Sequence, residues 1–444
     1  MLRSVCKQAN FARILDSRSN FRFKSSSSPQ AGVGLRANSN VSTMVFPNHC
    51  RNDYSRTACD NRREWVERIT NTSLNTLDGW WDPHVPFQTN KLSGNIESPI
   101  GLIKIPAGVI GPINILGKYA QGNFLVPAAT TEGAMIAGCT RGCKAINESG
   151  GVVVTAYRQH VQRNPVIICG DTEQAQSLGE WIQKSVPRLH DVVRTVSKKA
   201  VLKGVQTIID NEILHLAFTY ETAEAAGQNM SSVSTKACTE WILDSVRTDL
   251  PDVFVSKIFE ESTMSGDKRI SSLSPIFGRG ISVIAKASIS EATIKSVLKA
   301  NSEDLVDFIN IAKDMTLRSG TPQFNISMPN TVAAVFAATG QDLGSVGECS
   351  QAFFDISKNY ESKGGITAKM HMPNVLVGTV GGGTGLPTQR QCLNMMSCTG
   401  PMSNFKLAEI IASVCLATDL STAAANVSGD FAHSHNRLGR NRPQ

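Results

Sequence analysis

The stretch "PVIICGDTEQAQSLGEWIQKSVPRLHDVVRTVSKKAVLKGVQTIIDNEILHLAFTY", residues 165–220, decides the fold class of this chain. Its first apolar run, "PVIIC", predicts a short buried strand. Apolar residues then recur every three or four positions from Leu178 to Val196, which predicts a helix. Two further apolar runs, "GVQTIID" and "EILHLAFTY", meet at Asp210 and Asn211, residue types that favour a tight turn. The stretch therefore predicts a strand, a helix and a β-hairpin in that order.

The sequence after this stretch adds a second helix and a fourth strand. A helix is predicted through Trp241 and Val246, and the run "VFVSKIF" (253–259) predicts a strand. Strand, helix, strand, strand, helix, strand is the βαββαβ order of a ferredoxin-like domain. The alanine- and glycine-rich segments on either side resemble each other in composition, so we interpret residues 165–263 as an insertion into one larger domain.

The predicted fold class is α+β, a large helix-rich domain with an inserted ferredoxin-like (βαββαβ) domain. Length and composition agree with this organisation, because 444 residues with 41% hydrophobic content can bury two or three cores. The predicted boundaries are a basic Ser/Arg-rich leader at 1–43, a helical N-terminal segment at 44–96, the large domain at 97–164 and 264–434, the inserted domain at 165–263, and a basic tail at 435–444.

The net charge of +7 is concentrated at the two ends of the chain. The first 43 residues hold seven Lys or Arg and one Asp, and a helical apolar stripe runs through Leu2, Val5 and Ala9. This composition is typical of a mitochondrial transit peptide, although a disordered basic leader fits it equally well. Because the rest of the chain is close to neutral, the charge gives no support to a nucleic-acid partner.

Hydropathy and cysteine content predict a soluble intracellular protein, mitochondrial or cytosolic. We find no apolar run that approaches the roughly 18 residues of a membrane span, so no membrane span is expected. The eleven cysteines are scattered and form no C-x-x-C pair. That pattern indicates reduced thiols and no metal site.

A glycine-rich loop, "VLVGTVGGGTGLP" (375–387), follows a strand-like run and precedes a helix-like one. Glycine lets the backbone adopt positive φ and approach a ligand closely, which favours a phosphate-bearing partner. The spacing G-x-x-G-G-G differs from the dinucleotide fingerprint G-x-G-x-x-G. The spacing of the loop by itself therefore favours a glycine-rich surface turn.

Four ionisable residues lie beside small or apolar neighbours, where a charge needs a physical reason. Glu132 is predicted to open an alanine-rich helix, Lys268 lies in the polar loop "MSGDKR", Asp342 follows a helix that is predicted to stop at Gly340, and His435 lies in "DFAHSHNRLGR". Each has an ordinary alternative: a helix-dipole contact, a solvated lysine, a turn acid and a disordered tail.

A series of motifs resembles the 3-hydroxy-3-methylglutaryl-coenzyme A reductase family over residues 95–440, more closely its eukaryotic class than its shorter bacterial class. The motifs are "IPAGVIGP", "VPAATTEGAMIAGCTRGCKAI", "DKR" before "GRGISV", "GQD", "GTVGGGTGLPTQ" and "HSHNR", in that order. The resemblance implies a two-step reduction of 3-hydroxy-3-methylglutaryl-coenzyme A to mevalonate with release of coenzyme A. It also implies a homodimer or homotetramer with its active site between subunits.

The resemblance also assigns residues, one motif position at a time. It implies that the catalytic residues are Glu132, Lys268, Asp342 and His435. It implies that the substrate-binding residues are Arg163, Ser265, Asp267, Arg269 and Asn330. It implies NADPH as cofactor, with NADH as the alternative, and cofactor contacts from Glu224, Gly227, Gln228, Asn229, Gly378, Thr379, Val380, Gly381, Gly382, Gly383, Thr384 and Arg440.

The reaction needs these residue types for physical reasons. Each hydride transfer puts negative charge on a carbonyl oxygen, which a lysine ammonium stabilises when water is excluded. A carboxylic acid delivers protons best when its pKa is raised, so we expect burial and Asp342 to raise the pKa of Glu132 against the helix dipole. An imidazolium on a mobile tail, His435, can protonate the departing thiolate.

Two segments depart from the family pattern. The family segment E-N-V-I-G reads "ESPIG" from Glu97, and D-A-M-G-M-N reads "EAAGQN", with Glu224 in place of an aspartate and Gln228 in place of a methionine. Lys313 is left unassigned as a further pocket lysine. The replacements at Glu224 and Gln228 leave open a diverged reductase of another acyl-coenzyme A. The other open alternatives are a non-catalytic coenzyme A-binding or regulatory relative and a nucleotide-binding module without chemistry.

Overall fold

The computed structural model describes residues 53–70, 73, 81–82, 85–86, 89–359 and 364–430. The chain divides into two units, residues 1–80 with 97–102 and residues 81–96 with 103–444. In the first unit, helix α1 spans Arg56–Thr70. The guanidinium of Arg62 is buried and donates hydrogen bonds to the carbonyls of Pro99 and Asp53, each 2.9 Å away. These bonds fasten the residues around 99 to α1.

The second unit holds the other helices and strands of the described chain. Its first elements are β1 (Trp81–Asp82), β2 (Val85–Pro86), β3 (Ala107–Leu116), β4 (Gln121–Ala129), α2 (Met135–Glu148), β5 (Val152–Arg163), β6 (Val166–Cys169), α3 (Thr172–Val196), β7 (Val201–Asp210), β8 (Ile213–Glu221), α4 (Gln228–Asp249) and β9 (Val255–Phe259). They are followed by α5 (Ser274–Phe277), β10 (Gly280–Ile289), α6 (Glu291–Thr293), α7 (Ser302–Arg318), α8 (Met328–Thr339), α9 (Val346–Cys349), β11 (Phe353–Asn359), β12 (Gly365–Val375), α10 (Pro387–Met395) and α11 (Ser403–Ser428).

Ten of these strands form one continuous sheet. Its main order is β11-β12-β10-β5-β8-β6-β9, with β3 and β4 attached to β5 through β3, and with β7 paired to β8. The strand β5 connects the two halves, because its first part pairs with β10 and its last residues, Val161 to Arg163, pair with β8. The sequence patterns did not predict this continuous sheet.

The predicted element order of residues 165–259 is confirmed. The elements are β6, α3, β7, β8, α4 and β9, and the hairpin between β7 and β8 turns at Asn211, whose φ is 54°. All pairings are antiparallel in the order β9-β6-β8-β7. The helices α3 and α4 pack on this part of the sheet, with Trp181 and Trp241 stacked at 5.6 Å between ring centroids.

The helix α11 is the centre of the large core. Twenty-six residues long and with a mean hydropathy of 1.5 in its most apolar window, it passes a length and composition test for a membrane span, but 83% of that window is buried inside the protein. A buried core helix passes the same test. Two buried carboxylates, Glu409 and Asp419, lie on it and accept main-chain N–H groups of the surrounding segments.

One predicted helix is interrupted. The run "SEATIKSVLKANSEDLVDFINIAKDM" (290–315) predicts a single long helix, whereas the structure has α6, a π-helical turn from Ile294 to Leu298, and then α7. The break occurs because Lys299 adopts a left-handed φ of 58° and the side chain of Asn301 accepts the N–H of Asp304 as a new helix cap. By contrast, α8 ends at Gly340 with φ 71°, as predicted.

Candidate active site

The glycine loop contains two kinds of glycine. A Cβ on Gly378 would lie 2.5 Å from the main-chain nitrogen of Ala226, and one on Gly383 would lie 2.8 Å from the carbonyl oxygen of Gly340, so these glycines permit backbone-to-backbone packing. Gly381 and Gly382 have positive φ, 81° and 53°, and open space where a Cβ would be. Their exposed main chain is therefore accessible to a ligand.

A pocket of about 840 Å³ opens beside these two glycines. Its walls are the glycine loop, the start of α4, the end of α8 and the loop that carries Lys268. The left-handed Gly227 precedes α4, which begins at Gln228, so the helix presents its N-terminal end at the pocket wall. A helix N-terminus favours an anionic group. A ligand in this pocket would therefore meet both the accessible main chain of the glycine loop and the positive potential of the α4 N-terminus.

Lys268 and Asp342 form an ion pair at this pocket. The Nζ of Lys268 lies 3.2 Å from Oδ2 of Asp342, and Oδ1 of Asp342 accepts the N–H of Gly344 at 2.9 Å. Lys268 has a left-handed φ of 58°, which is unfavourable by about 1–3 kcal/mol for a residue with a Cβ. The surrounding structure must therefore hold the lysine in this conformation.

A buried network of charges supports the Lys268 loop from inside the protein. The carboxylate of Glu348 accepts the main-chain N–H of Lys268 and pairs with Arg279, whose Nε is 3.2 Å from Oε1. Arg279 also contacts Asp267 at 2.8 Å. Burial raises the pKa of Glu348, while the guanidinium of Arg279 opposes the shift. The network contains Asp267, which the sequence predicted, and Glu348, which it missed.

Arg163 contacts Asp267 on the side opposite Arg279. Its Nη1 is 3.1 Å from Oδ2 of Asp267, its Nε donates to the hydroxyl of Ser232 at 2.8 Å, and its Nη2 donates to the carbonyl of Gln228 at 3.3 Å. The structure therefore brings together Arg163, Asp267 and Lys268, three residues that the sequence selected. Arg163 and Asp267 also line a smaller pocket of about 260 Å³.

Ser265 and Arg269 belong to the same loop but face different surroundings. Ser265 is buried and lines a small cavity of about 50 Å³ below the loop. Arg269 is exposed, and its main-chain N–H donates to the carbonyl of Gly266 at 3.0 Å. Only the first of the two is enclosed by protein in the isolated chain.

Glu132 lies apart from the Lys268 pocket, and two expectations about it are wrong. The helix α2 begins at Met135 and not at Glu132, because Ala134 has a left-handed φ of 73°. Glu132 is exposed and not buried as expected. Its Oε1 accepts the amide of Asn330 at 3.1 Å, which places both residues near the start of α8.

Glu132 lines a second pocket, of about 970 Å³, that the sequence analysis missed. Two cations of α2, Arg141 and Lys144, line the same pocket. Arg141 donates to the hydroxyl and to the carbonyl of Ser421, at 3.0 and 2.7 Å. The signal was in the sequence as the motif "TRGCK", whose Arg and Lys are three positions apart and thus share a helix face.

Several predicted cofactor residues line the 840 Å³ pocket and others do not. Those that line it are Gly227, Gln228, Asn229, Gly378, Val380, Gly381, Gly382, Gly383 and Thr384. Glu224 instead accepts the N–H of Met402 at 3.2 Å, and Thr379 is buried against Ser403. His435 and Arg440 lie outside the described residues. Lys313, which the sequence left unassigned, pairs with Asp355 at 2.7 Å.

In the described part of the chain, no three His, Cys, Asp or Glu side chains cluster closely enough to hold a metal ion. The nine cysteines described there are free thiols.

Comparison with known proteins gives consistent matches. A sequence profile described as hydroxymethylglutaryl-coenzyme A reductase matches residues 58–440. The 3-hydroxy-3-methylglutaryl-coenzyme A reductase of Pyrococcus abyssi (strain GE5 / Orsay) is 35% identical over 398 residues, 88% of this chain and 94% of that protein. The 3-hydroxy-3-methylglutaryl-coenzyme A reductase 3 of Oryza sativa subsp. japonica is 34% identical over 87% of this chain and 68% of that protein.

A solved structure supports the fold. The class II 3-hydroxy-3-methylglutaryl-CoA reductase from Streptococcus pneumoniae, bound to NADPH in open conformations, matches with a TM-score of 0.60 at 18% identity, and the match covers 83% of this chain and 97% of that chain. At this identity the similarity concerns the fold alone. The profile covers residues 58–440, and the Pyrococcus abyssi relative covers 88% of the chain at 35% identity. The chain therefore belongs to the hydroxymethylglutaryl-coenzyme A reductase family.

Proposed function

We propose that this chain reduces 3-hydroxy-3-methylglutaryl-coenzyme A to mevalonate with NADPH and releases coenzyme A. The observation that carries the proposal is the Lys268–Asp342 pair, 3.2 Å apart, at the edge of the pocket that the glycine loop lines. Reduction of a thioester carbonyl needs a fixed cation beside a cofactor-sized cavity. Membership of the family supports the choice of substrate.

The reaction adds one hydride and one proton in each of two steps. In the first step, hydride adds to the thioester carbon and a proton to its oxygen, which gives a hemithioacetal. The carbon–sulfur bond then breaks, the hydroxyl proton is lost, and the departing thiolate takes a proton, which leaves an aldehyde and free coenzyme A. In the second step, hydride and a proton convert the aldehyde to the alcohol. NADPH would supply the hydride in both steps.

The ionisable side chains have separate roles in this proposal. The ammonium of Lys268 stabilises the negative charge that develops on the carbonyl oxygen, and Asp342 orients that ammonium through the ion pair. Glu132 supplies protons to the same oxygen. His435 protonates the thiolate of coenzyme A. Lys268, Glu132 and His435 therefore each act on an atom that changes charge or protonation during the reaction, and Asp342 acts through Lys268.

The 840 Å³ pocket fits a dinucleotide cofactor. Gly381 and Gly382 leave the space that a Cβ would fill, so a pyrophosphate or ribose can approach the main chain. The N-terminus of α4 at Gln228 adds favourable potential for a phosphate. Residues of this pocket would hold NADPH, together with Arg440.

The substrate has two anionic ends, the glutaryl carboxylate and the phosphates of coenzyme A. Cationic side chains are available for each of them. Arg163 would bind the glutaryl carboxylate, with Ser265, Asp267 and Arg269 of the neighbouring loop around it. Arg141 and Lys144 in the pocket of Glu132 suit the phosphates of coenzyme A. Asn330 would hold Glu132 in position through its hydrogen bond.

The length of α8 supports an active site that is shared between two chains. Glu132 contacts Asn330 near the start of α8, whereas Asp342 follows its end. The 12 residues of α8 rise about 18 Å. Glu132 and Lys268 of one chain are thus too far apart to act on one carbonyl oxygen. We infer a homodimer or homotetramer in which Glu132 of one chain completes the Lys268 site of another.

The strand order β9-β6-β8-β7, with α3 and α4 as crossovers, is that of a ferredoxin-like domain. It supports the proposal that residues 165–263 form an inserted cofactor-binding domain within a larger substrate-binding domain. The mitochondrial or cytosolic location stays a prediction, and the leader on which it depends lies outside the described residues.

The proposed reaction is tested by loss of NADPH absorbance after addition of the hydroxymethylglutaryl thioester, with NADH and with acetyl-coenzyme A as comparisons. We expect consumption of two NADPH for each free thiol released. Absence of thioester-dependent oxidation would refute the proposal.

The shared site is tested by complementation. Glu132→Gln and Lys268→Met are each expected to be nearly inactive. A one-to-one co-expression should restore about one quarter of wild-type activity, because half of the dimers are mixed and each mixed dimer has one intact site. No recovery in the mixture would refute a shared site.

A further inference from the structure

Gln228 lies between three parts of the active site. It is the first residue of α4, it is half-buried, and it lines the 840 Å³ pocket. Its side-chain amide donates to Oδ2 of Asp342 at 3.1 Å and to the hydroxyl of the buried Ser345 at 3.3 Å. Its carbonyl accepts the guanidinium of Arg163 at 3.3 Å. One residue thus contacts Asp342 and Arg163 and also faces the pocket.

The amide completes the hydrogen bonding of the Asp342 carboxylate. Oδ1 accepts the main-chain N–H of Gly344 at 2.9 Å, and Oδ2 accepts both the ammonium of Lys268 at 3.2 Å and the amide of Gln228. A carboxylate held by three donors has a fixed orientation. A methionine at this position has no donor and would leave Oδ2 with Lys268 alone.

The second bond of the amide fixes its own orientation. Ser345 is fully buried, and its main-chain N–H donates to the carbonyl of Asp342 at 3.0 Å. Gln228 therefore binds a turn that already contains Asp342, and its amide is held at two points. We infer that Gln228 is a positioning residue, which orients Asp342, and through it the ammonium of Lys268, for the reduction. This inference rests on the proposed function.

Two roles of Gln228 predict different kinetics. A residue that positions Asp342 affects kcat, because the aligned ammonium matters most when charge develops on the carbonyl oxygen. A residue that only contacts the cofactor affects the Kd and KM of NADPH. The substitutions Gln228→Met and Gln228→Glu separate these roles, since the first removes the amide and the second keeps its size but replaces the donor by an acceptor.

We expect kcat to fall about 10- to 100-fold in both variants, the effect of losing a hydrogen bond to a charged group, while the Kd of NADPH changes less than about threefold. The matched control is Gln176→Met. Gln176 is exposed on α3 and donates a similar 3.1 Å hydrogen bond to the carboxylate of Glu180, away from the pocket. That variant should keep the wild-type kcat and melting temperature.

The outcomes separate the inference from the function on which it rests. An inactive wild-type chain would overturn the proposed function. An active wild type with a normal kcat in Gln228→Met or Gln228→Glu would overturn the inference alone, as would a rise in the Kd of NADPH that matches the loss of kcat. Thermal unfolding of each variant at the wild-type temperature would show that the kinetic change is local.

Discussion

Two ion pairs contact the loop that carries Lys268, and they differ chiefly in exposure. The side chains of Lys268 and Asp342 are 50% and 40% exposed, whereas those of Arg279 and Glu348 are 3% and 1% exposed. An exposed pair adds about 0–1 kcal/mol to stability, while loss of one partner from a buried pair costs about 3–5 kcal/mol. The comparison indicates that the loop is held from inside, which leaves the exposed ammonium available for the proposed chemistry.

The largest expected effect is that of Lys268→Met on activity. We expect kcat to fall about a thousandfold, because the developing oxyanion loses its cation, while stability changes by less than about 1 kcal/mol. The measurements are NADPH consumption and thermal unfolding. Lys299→Met is the matched control, since Lys299 is exposed, shares the left-handed φ of 58°, and is not among the residues that line the 840 Å³ pocket. Equal activity of the two variants would contradict the role of Lys268.

Breaking the buried pair should instead reduce stability. Glu348→Leu leaves the buried Arg279 with Asp267 as its remaining charged partner, so we expect the free energy of unfolding to fall by about 3–5 kcal/mol in urea titrations. The control is Arg318→Met, which removes an exposed pair with Asp314 and should cost less than about 1 kcal/mol. Similar losses in both variants would show that burial does not distinguish the pairs.

Asp419 extends the comparison to a buried carboxylate that is held by main-chain N–H groups. It accepts the N–H groups of Ile326 and Ser327 at 3.0 and 2.8 Å, and burial raises its pKa from 3.8 to about 6. Because the folded pKa lies above the unfolded one, the folded state binds the proton more tightly. Stability from this group is greatest below about pH 4 and falls by about 3 kcal/mol as the pH rises through 6.

The test is the free energy of unfolding of the wild type and of Asp419→Asn between pH 4 and pH 7. The difference between the two should change in favour of the variant as the pH rises. Parallel curves would mean that Asp419 keeps its ordinary pKa in the folded protein.

The smallest effects concern two glycines of the loop, Gly383 and Gly385, which differ in the space at their Cβ positions. A Cβ on Gly383 would meet the carbonyl of Gly340 at 2.8 Å, so Gly383→Ala should cost about 1–3 kcal/mol. Gly385 has open space at its Cβ position and no positive φ, so Gly385→Ala should change stability by less than about 0.5 kcal/mol. Chemical denaturation measures both. A larger loss for Gly385→Ala would mean that open space does not identify the tolerant glycine.

Local patterns were sufficient for most elements and failed where one residue changed the backbone. The elements of residues 165–259 follow from apolar periodicity, because each buries one face. The late start of α2 and the break before α7 depend on Ala134 and Lys299, both with left-handed φ. Neither residue type favours that conformation, so no local pattern marks it.

The sequence likewise predicted some residues of the candidate site and missed others. Family motifs selected Lys268, Asp342, Arg163 and Asp267, which the structure brings together through two ion pairs. They did not select Glu348, whose neighbours in "VGECSQ" resemble those of an ordinary turn. A charged residue can be recognised as part of a buried network only when its burial is known, and burial depends on segments far away in the chain.

The sequence by itself determined the family, the element order of residues 165–259 and the residue types on which the proposed chemistry depends, because motifs and periodicity are local properties. Only the tertiary structure decided that the sheet continues through β5, that Glu348 and Arg279 support the Lys268 loop, and that Glu132 lies at the other end of α8 from Asp342. These relations join residues distant in sequence, and their energies depend on which groups are removed from water together.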